Sequence, residues 1–126
     1  MGKSTTLISV VDDDESMREA LRGLMKSLGY TAEAFASAEE FLSSPQVPLT
    51  SCLIADVQMP GMTGLELHHH LLASGTTIPT ILITAYPDES TRERALENGV
   101  LCYLSKPFNE NDLLACIHSS LPFQSP

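Results

Sequence analysis

The stretch "LISVVDDDESMREALRGLMKSLG" (Leu7–Gly29) contains one complete strand-and-helix unit. Leu7 to Val11 form a short, mainly apolar run of a length suited to a buried strand, and the run stops abruptly at Asp12, Asp13, Asp14 and Glu15. Met17, Ala20, Leu21, Leu24, Met25 and Leu28 then follow the spacing i, i+3, i+4, i+7, i+8, i+11. That spacing places one apolar stripe on a helix, and Gly29 supplies its C-terminal stop. Four adjacent acids raise their mutual electrostatic energy unless a cation or hydrogen-bond donors offset it. The opening unit therefore predicts both an architecture and a place for chemistry.

The same alternation repeats along the chain. Further strand-length runs occur at Tyr30 to Phe35, Cys52 to Ala55, Ile78 to Ile83 and Leu101 to Leu104, and each gap accommodates a helix with two short loops. Ser or Thr precedes Glu by three residues at Ser16/Glu19, Ser37/Glu40, Thr63/Glu66 and Ser90/Glu93, which is the capping-box signature of a helix start. A fifth helix is predicted from Asn109 through Leu113, Leu114 and Ile117. Five β-α units in succession imply an α/β fold, a three-layer sandwich in which right-handed crossovers place helices on both faces of a five-stranded parallel sheet.

Bulk composition narrows the function. At 126 residues the chain suits one domain, and 43% hydrophobic against 18% charged residues is enough apolar material for a core. Seven Lys and Arg against sixteen Asp and Glu give a net charge of −9; such a surface is repelled by phosphate backbones, so direct nucleic-acid binding is not expected. Cys52, Cys102 and Cys116 are odd in number and contain no CxxC pair. They read as free buried thiols in a reducing cytoplasm. No apolar stretch approaches the roughly 20 residues of a membrane span, and no secretory signal is recognised, so the expected location is cytoplasmic. "GKST" near the N-terminus echoes a phosphate-binding loop but lacks its upstream glycine and strand. The loose myristoylation pattern at Gly2 is equally discounted. "HHH" at His68 to His70 does not read as a metal site, because successive helical residues point about 100° apart.

In an open parallel sheet, ligands sit beyond the carboxyl ends of the strands. The residues found there are Asp12 and Asp13, Asp56, Thr84, and Lys106 before Pro107. Three carboxylates, a hydroxyl and an ammonium make a poor core and a good site for a metal and a phosphoryl group. Mg²⁺ prefers oxygen ligands and is typically held by one or two carboxylates together with substrate phosphate. Asp13 and Asp56 suit that role, with Asp12 completing the negative field. A carboxylate attacks phosphorus when the charge developing on the transferred oxygens is stabilised, and Lys106 and Thr84 are the natural cation and hydroxyl donor. Asp14 and Glu15 precede the first helix, where carboxylates cap free N–H groups.

"VVDDDES", "IADVQMPGMTGLEL", "TILITAY" and "YLSKPF", in that order, resemble the receiver domain of two-component response regulators over about Thr6 to Ile117. The wording of the second and fourth motifs is similar to receivers joined to a LuxR-type helix-turn-helix domain. The resemblance implies a flavodoxin-like (βα)5 fold with strand order 2-1-3-4-5. It implies that Asp56 accepts a phosphoryl group from a sensor histidine kinase, and that Asp12, Asp13, Asp56 and the backbone carbonyl of Gln58 hold Mg²⁺. It further implies that Lys106 contacts the phosphoryl oxygens, that Thr84 turns toward them and Tyr103 swings inward, and that Lys106-Pro107 is cis. Residues 1–120 are expected to be the receiver and 121–126 the start of a linker. The expected partners are the kinase, a second copy in a phosphorylation-dependent homodimer, and a DNA-binding output domain outside this chain. Such a domain is not an enzyme acting on external substrates; it catalyses only its own phosphorylation and dephosphorylation. A phosphatase of the haloacid dehalogenase type needs an acid two residues after its nucleophile, where this chain has Gln58. A degenerate receiver serving only as a binding module usually lacks an acid, the acceptor or the lysine, and all are present here.

Overall fold

Strands and helices alternate in the order β1 (Leu7–Val11), α1 (Glu15–Ser27), β2 (Thr31–Phe35), α2 (Ala38–Leu42), β3 (Cys52–Asp56), α3 (Gly64–Ala73), β4 (Thr80–Thr84), α4 (Glu89–Glu97), β5 (Cys102–Ser105) and α5 (Glu110–Ser120). This computed structural model describes residues 6–121. The discounted N-terminal patterns, and all but the first residue of the expected linker, lie outside them. The strands form one parallel sheet in the order β2-β1-β3-β4-β5. That is the flavodoxin-like order implied by the resemblance.

Burial explains which strands sit in the middle. Every residue of β1, β3 and β4 is buried, whereas β2 and β5 retain exposed or half-exposed positions. Strands covered by helices on both faces read as nearly continuous apolar runs, and edge strands do not need to. On one face Leu21 and Met25 of α1 and Leu113, Cys116 and Ile117 of α5 pack with Ile8, Val10, Ile54, Ile81 and Ile83. On the other, Ala38 and Phe41 of α2, Leu67 and Leu71 of α3 and Ala95 of α4 pack with Val11, Leu53, Ala55 and Leu82. The three-layer sandwich follows from side-chain alternation along the strands, which delivers successive residues to opposite cores.

Two helix starts differ from the capping-box reading. The N-cap of α1 is Asp14, whose side chain accepts from the Ser16 and Met17 N–H groups, and that of α4 is Asp88, which accepts from Thr91. Asp14 is the capping carboxylate expected from the sequence, and at α4 Asp88, two residues upstream of the expected Ser90, takes the role because its ionised oxygen accepts the free N–H groups more strongly than a hydroxyl does. Thr63 and Glu66 form the full reciprocal box, and Ser37 caps α2. The start of β4 moves to Thr80, after Pro79, which has no N–H to donate but whose carbonyl accepts from Leu53. A short 3-10 turn at Val47–Leu49, absent from the sequence reading, precedes β3.

The cysteine reading requires correction. Only Cys52 is a free thiol, buried in the core; Cys102 and Cys116 are joined in a disulfide. A helix returning beside its own strand runs antiparallel to it, which brings the start of β5 against the second half of α5. Count and spacing along the sequence do not reveal that juxtaposition.

The three histidines also separate: His68 is buried, while His69 and His70 are exposed. Burial, with a smaller contribution from the neighbouring His69, pulls the His68 imidazole below its ordinary value. The unfolded chain therefore binds this proton more readily than the folded one. The stability associated with neutral His68 is present above about pH 6.5 and is lost as pH falls below it. Urea unfolding between roughly pH 7 and pH 5 should show a falling midpoint, and His68→Leu should flatten that fall.

Candidate functional site

The C-terminal ends of β1, β3, β4 and β5 bring the polar groups together. Asp12 follows β1 directly, and its backbone is held from two sides: its N–H donates to the Phe35 carbonyl at 3.1 Å, and its carbonyl accepts from the Arg18 guanidinium at 2.9 Å. One carboxylate oxygen, Oδ1, accepts from the Asp14 N–H at 2.9 Å. Asp56 ends β3, and its Oδ1 accepts from the Gln58 N–H at 3.2 Å. These two acids are only 2% and 7% exposed. Asp13 lies beside them on the exposed side, and one carboxylate oxygen from each of the three falls within 4.8 Å of the others.

Lys106 enters from the end of β5. Its N–H donates to the Thr84 carbonyl at 2.7 Å, and its peptide bond to Pro107 is cis, as the resemblance implied. The ammonium stands 3.3 Å from Asp12 Oδ2 and 3.3 Å from Asp56 Oδ2, with the side chain 17% exposed. One cation thus bridges the two buried carboxylates. Burial raises the Asp56 carboxyl above its ordinary range, and the Asp12 charge adds to this; Lys106 and the Gln58 N–H oppose the shift. Burial alone would lower the Lys106 ammonium, but Asp12 and Asp56 outweigh it and hold the group above its usual value.

The charge count leaves the site negative: three carboxylates face one ammonium. An all-oxygen donor set with surplus negative charge, open on the Asp13 side, suits a hard divalent cation, so the residues present fit Mg²⁺. A buried, cation-paired carboxylate beside that donor set has the elements of an acceptor for an electrophilic phosphoryl group.

The response regulator receiver domain model matches residues 8–118. The chain belongs to that family. Nodulation protein W of Bradyrhizobium diazoefficiens is 40% identical over 111 residues, covering 88% of this chain and 49% of its own length. The transcriptional regulatory protein FixJ of the same organism is 33% identical over 119 residues, covering 94% of this chain and 58% of its own. Among solved structures, the response regulator StyR superposes with a TM-score of 0.86 at 41% identity, covering 94% of this chain and 60% of that one. The receiver spans about half to three fifths of the length of these proteins.

Elsewhere in this receiver, the remaining candidates stand as follows. Thr84 ends β4 and is fully buried; its Oγ1 donates to Gln58 Oε1 at 2.5 Å and accepts from the Tyr86 N–H at 2.9 Å. Tyr103 is half-buried, and its hydroxyl accepts from the Asp88 N–H at 3.4 Å. It lines a surface cavity of about 300 Å³ together with Pro87, Asp88, Glu89, Arg92 and Ser105. Tyr103 therefore borders the start of α4, while Thr84 is engaged with Gln58.

Three participants escaped the sequence reading. The Gln58 side chain, considered only for its backbone carbonyl, holds the Thr84 hydroxyl. Arg18, on the polar side of α1, anchors the Asp12 carbonyl. Glu39 of α2 reaches across to accept from the Met62 N–H at 3.2 Å, tying down the loop after Asp56. Local pattern carries no signal for any of them, since each is a common surface residue whose partner lies in another element.

Gly64 has a requirement of a different kind. A Cβ placed there would overlap the Asp56 backbone carbonyl and crowd Leu82, so glycine is needed for α3 to start against the end of β3. Gly64→Ala should lower the unfolding free energy in urea by about 1–3 kcal/mol, the usual cost of overpacking. Gly23→Ala, with nothing near the added carbon, should not.

Proposed function

We propose that this receiver is a phosphorylation-dependent signalling switch in which Asp56 takes a phosphoryl group from a phosphohistidine of a sensor histidine kinase. The observation that carries the reading is the Lys106 ammonium placed 3.3 Å from both Asp12 and Asp56 at the carboxyl edge of the sheet. An Asp56 oxygen attacks phosphorus, the bond to the donor nitrogen breaks, and the product is an aspartyl phosphate. Lys106 then pairs with the phosphoryl oxygens as charge develops on them. Asp12, Asp13, Asp56 and the Gln58 backbone carbonyl would hold Mg²⁺, which when bound supplies the further positive charge that a phosphoryl dianion needs.

Phosphorylation adds roughly −1.5 to −2 charges. Thr84, released from Gln58, turns its hydroxyl toward the new oxygens, and Tyr103 moves inward from the Asp88 side into the space vacated. This biases a two-state equilibrium of the surface made by α4, β5 and α5. The readout is a changed partner contact: a phosphorylation-dependent homodimer or an output domain. FixJ is named as a transcriptional regulatory protein, and its length beyond the matched region has room for such a domain. We assign residues 1–120 to the receiver and 121–126 to the start of a linker toward a DNA-binding output, with the protein acting in the cytoplasm and on no external substrate.

Intact-mass measurement with Mg²⁺ and acetyl phosphate tests this. The chain should gain one phosphoryl group, slowly lost by hydrolysis, and Asp56→Asn should gain none while keeping its fold. Chelation of Mg²⁺ should likewise prevent uptake. Uptake surviving Asp56→Asn overturns the assignment; a chain that gains nothing is a binding module, and steady turnover of the donor marks a phosphatase.

A further inference from the structure

We infer that Cys102 and Cys116 are a reversible dithiol–disulfide pair whose oxidation clamps α5 onto β5 and so uncouples phosphorylation from the output surface. The inference rests on the switch reading above for the identity of that surface, and on the structure for the clamp.

Cys102 is the first residue of β5 and Cys116 lies in the second half of α5, bonded across a Cα separation of 6.3 Å. The loop closed by the bond contains Tyr103, the aromatic assigned to the switch, and Lys106, the cation assigned to the phosphoryl oxygens. Cys102 and Tyr103 are successive residues of an edge strand and face opposite cores: Cys102 packs with the α1 and α5 layer, Tyr103 with the layer holding α2, α3 and α4. A covalent tie at Cys102 therefore restrains the backbone from which Tyr103 moves. It acts at the opposite end of β5 from Lys106, so it leaves the Asp12, Asp56 and Lys106 contacts intact.

The pair is also chemically isolated. Cys52 is fully buried in β3, and burial pushes its thiol up to about 11. It stays protonated and does not compete for the bond. Cys102 is partly exposed, whereas Cys116 is 8% exposed, so Cys102 is the more accessible residue of the pair and is taken as the site where a soluble oxidant acts first. With a hydroperoxide, the Cys102 sulfur attacks the terminal peroxide oxygen and the O–O bond breaks. This gives a sulfenic acid and an alcohol, or water where the oxidant is hydrogen peroxide. The Cys116 thiol then forms the S–S bond and expels water, the two thiols having given up two protons and two electrons. A dithiol reductant reverses this by exchange, leaving two thiols and its own disulfide.

The test uses the native chain in two forms, one treated with hydrogen peroxide and one reduced with dithiothreitol. Intact mass should show a reversible loss of two hydrogens, and peptide mapping should join Cys102 to Cys116. Hydrogen exchange over Glu110–Ser120 should be slower in the oxidised form by on the order of tenfold. With acetyl phosphate and Mg²⁺ both forms should take up phosphoryl alike, but only the reduced form should change its α5 exchange in response. Cys116→Ala should behave as permanently reduced, and Cys52→Ala as the native chain. The inference is overturned if the two sulfurs do not couple, or if α5 exchange is the same in both forms. Failure of both forms to take up phosphoryl would instead count against the switch reading, since the exchange comparison without phosphoryl still decides the clamp.

Discussion

The Lys106 ammonium held between the buried carboxylates of Asp12 and Asp56 is the contact around which the molecule is arranged. Two carboxylates this close and this buried are costly unless paired, and removing one partner of such an arrangement leaves an uncompensated charge in low dielectric. The three residues come from the ends of β1, β3 and β5. A parallel sheet brings all three carboxyl ends to one edge, and the order β1-β3-β4-β5 sets Asp12 and Asp56 on adjacent strands with Lys106 reaching in from the strand beyond β4. The sheet order and the polar site are thus aspects of one solution. Even after pairing, the surplus of carboxylates leaves the site charged and suited to a divalent cation.

Around that contact the surrounding residues act as supports. Arg18 and the Phe35 carbonyl fix the Asp12 backbone, and Asp14 both caps α1 and donates its N–H to Asp12. Gly64 lets α3 begin against the Asp56 carbonyl, and Glu39 holds the intervening loop from α2. Gln58 keeps the Thr84 hydroxyl occupied. In the proposed reaction that bond must break before Thr84 reaches a phosphoryl oxygen, so the resting state has its own hydrogen bond to lose. The gain on phosphorylation is then a difference between two satisfied arrangements, as expected of a two-state element with a small gap.

The four acids at Asp12 to Glu15 show how far local reading reaches. Strand end, carboxylate cluster and helix cap can be separated along the sequence because each obeys a local rule: apolar run, oxygen donors at a strand terminus, carboxylate before a helix. The Asp14 cap of α1 is read correctly in this way, whereas at α4 the Ser90 box misplaces the helix start, since that rule does not rank Asp88, two residues upstream, as the stronger acceptor. Gln58, Arg18 and Glu39 show the limit from another side. Their chemistry depends on groups in other elements, and no periodicity encodes a partner.

Sequence alone determined the five-unit α/β architecture, the family, and the identity of the acids, hydroxyl and lysine at the strand ends. Those properties follow from apolar periodicity and from residue types at fixed offsets, which survive without coordinates. Tertiary structure decided which groups meet: the equal reach of Lys106 to two carboxylates, the Gln58 hold on Thr84, the burial of His68 but not of His69 or His70, and the bond between Cys102 and Cys116. Each is a matter of distance between elements, which is set by how helices and strands pack rather than by anything a single segment carries.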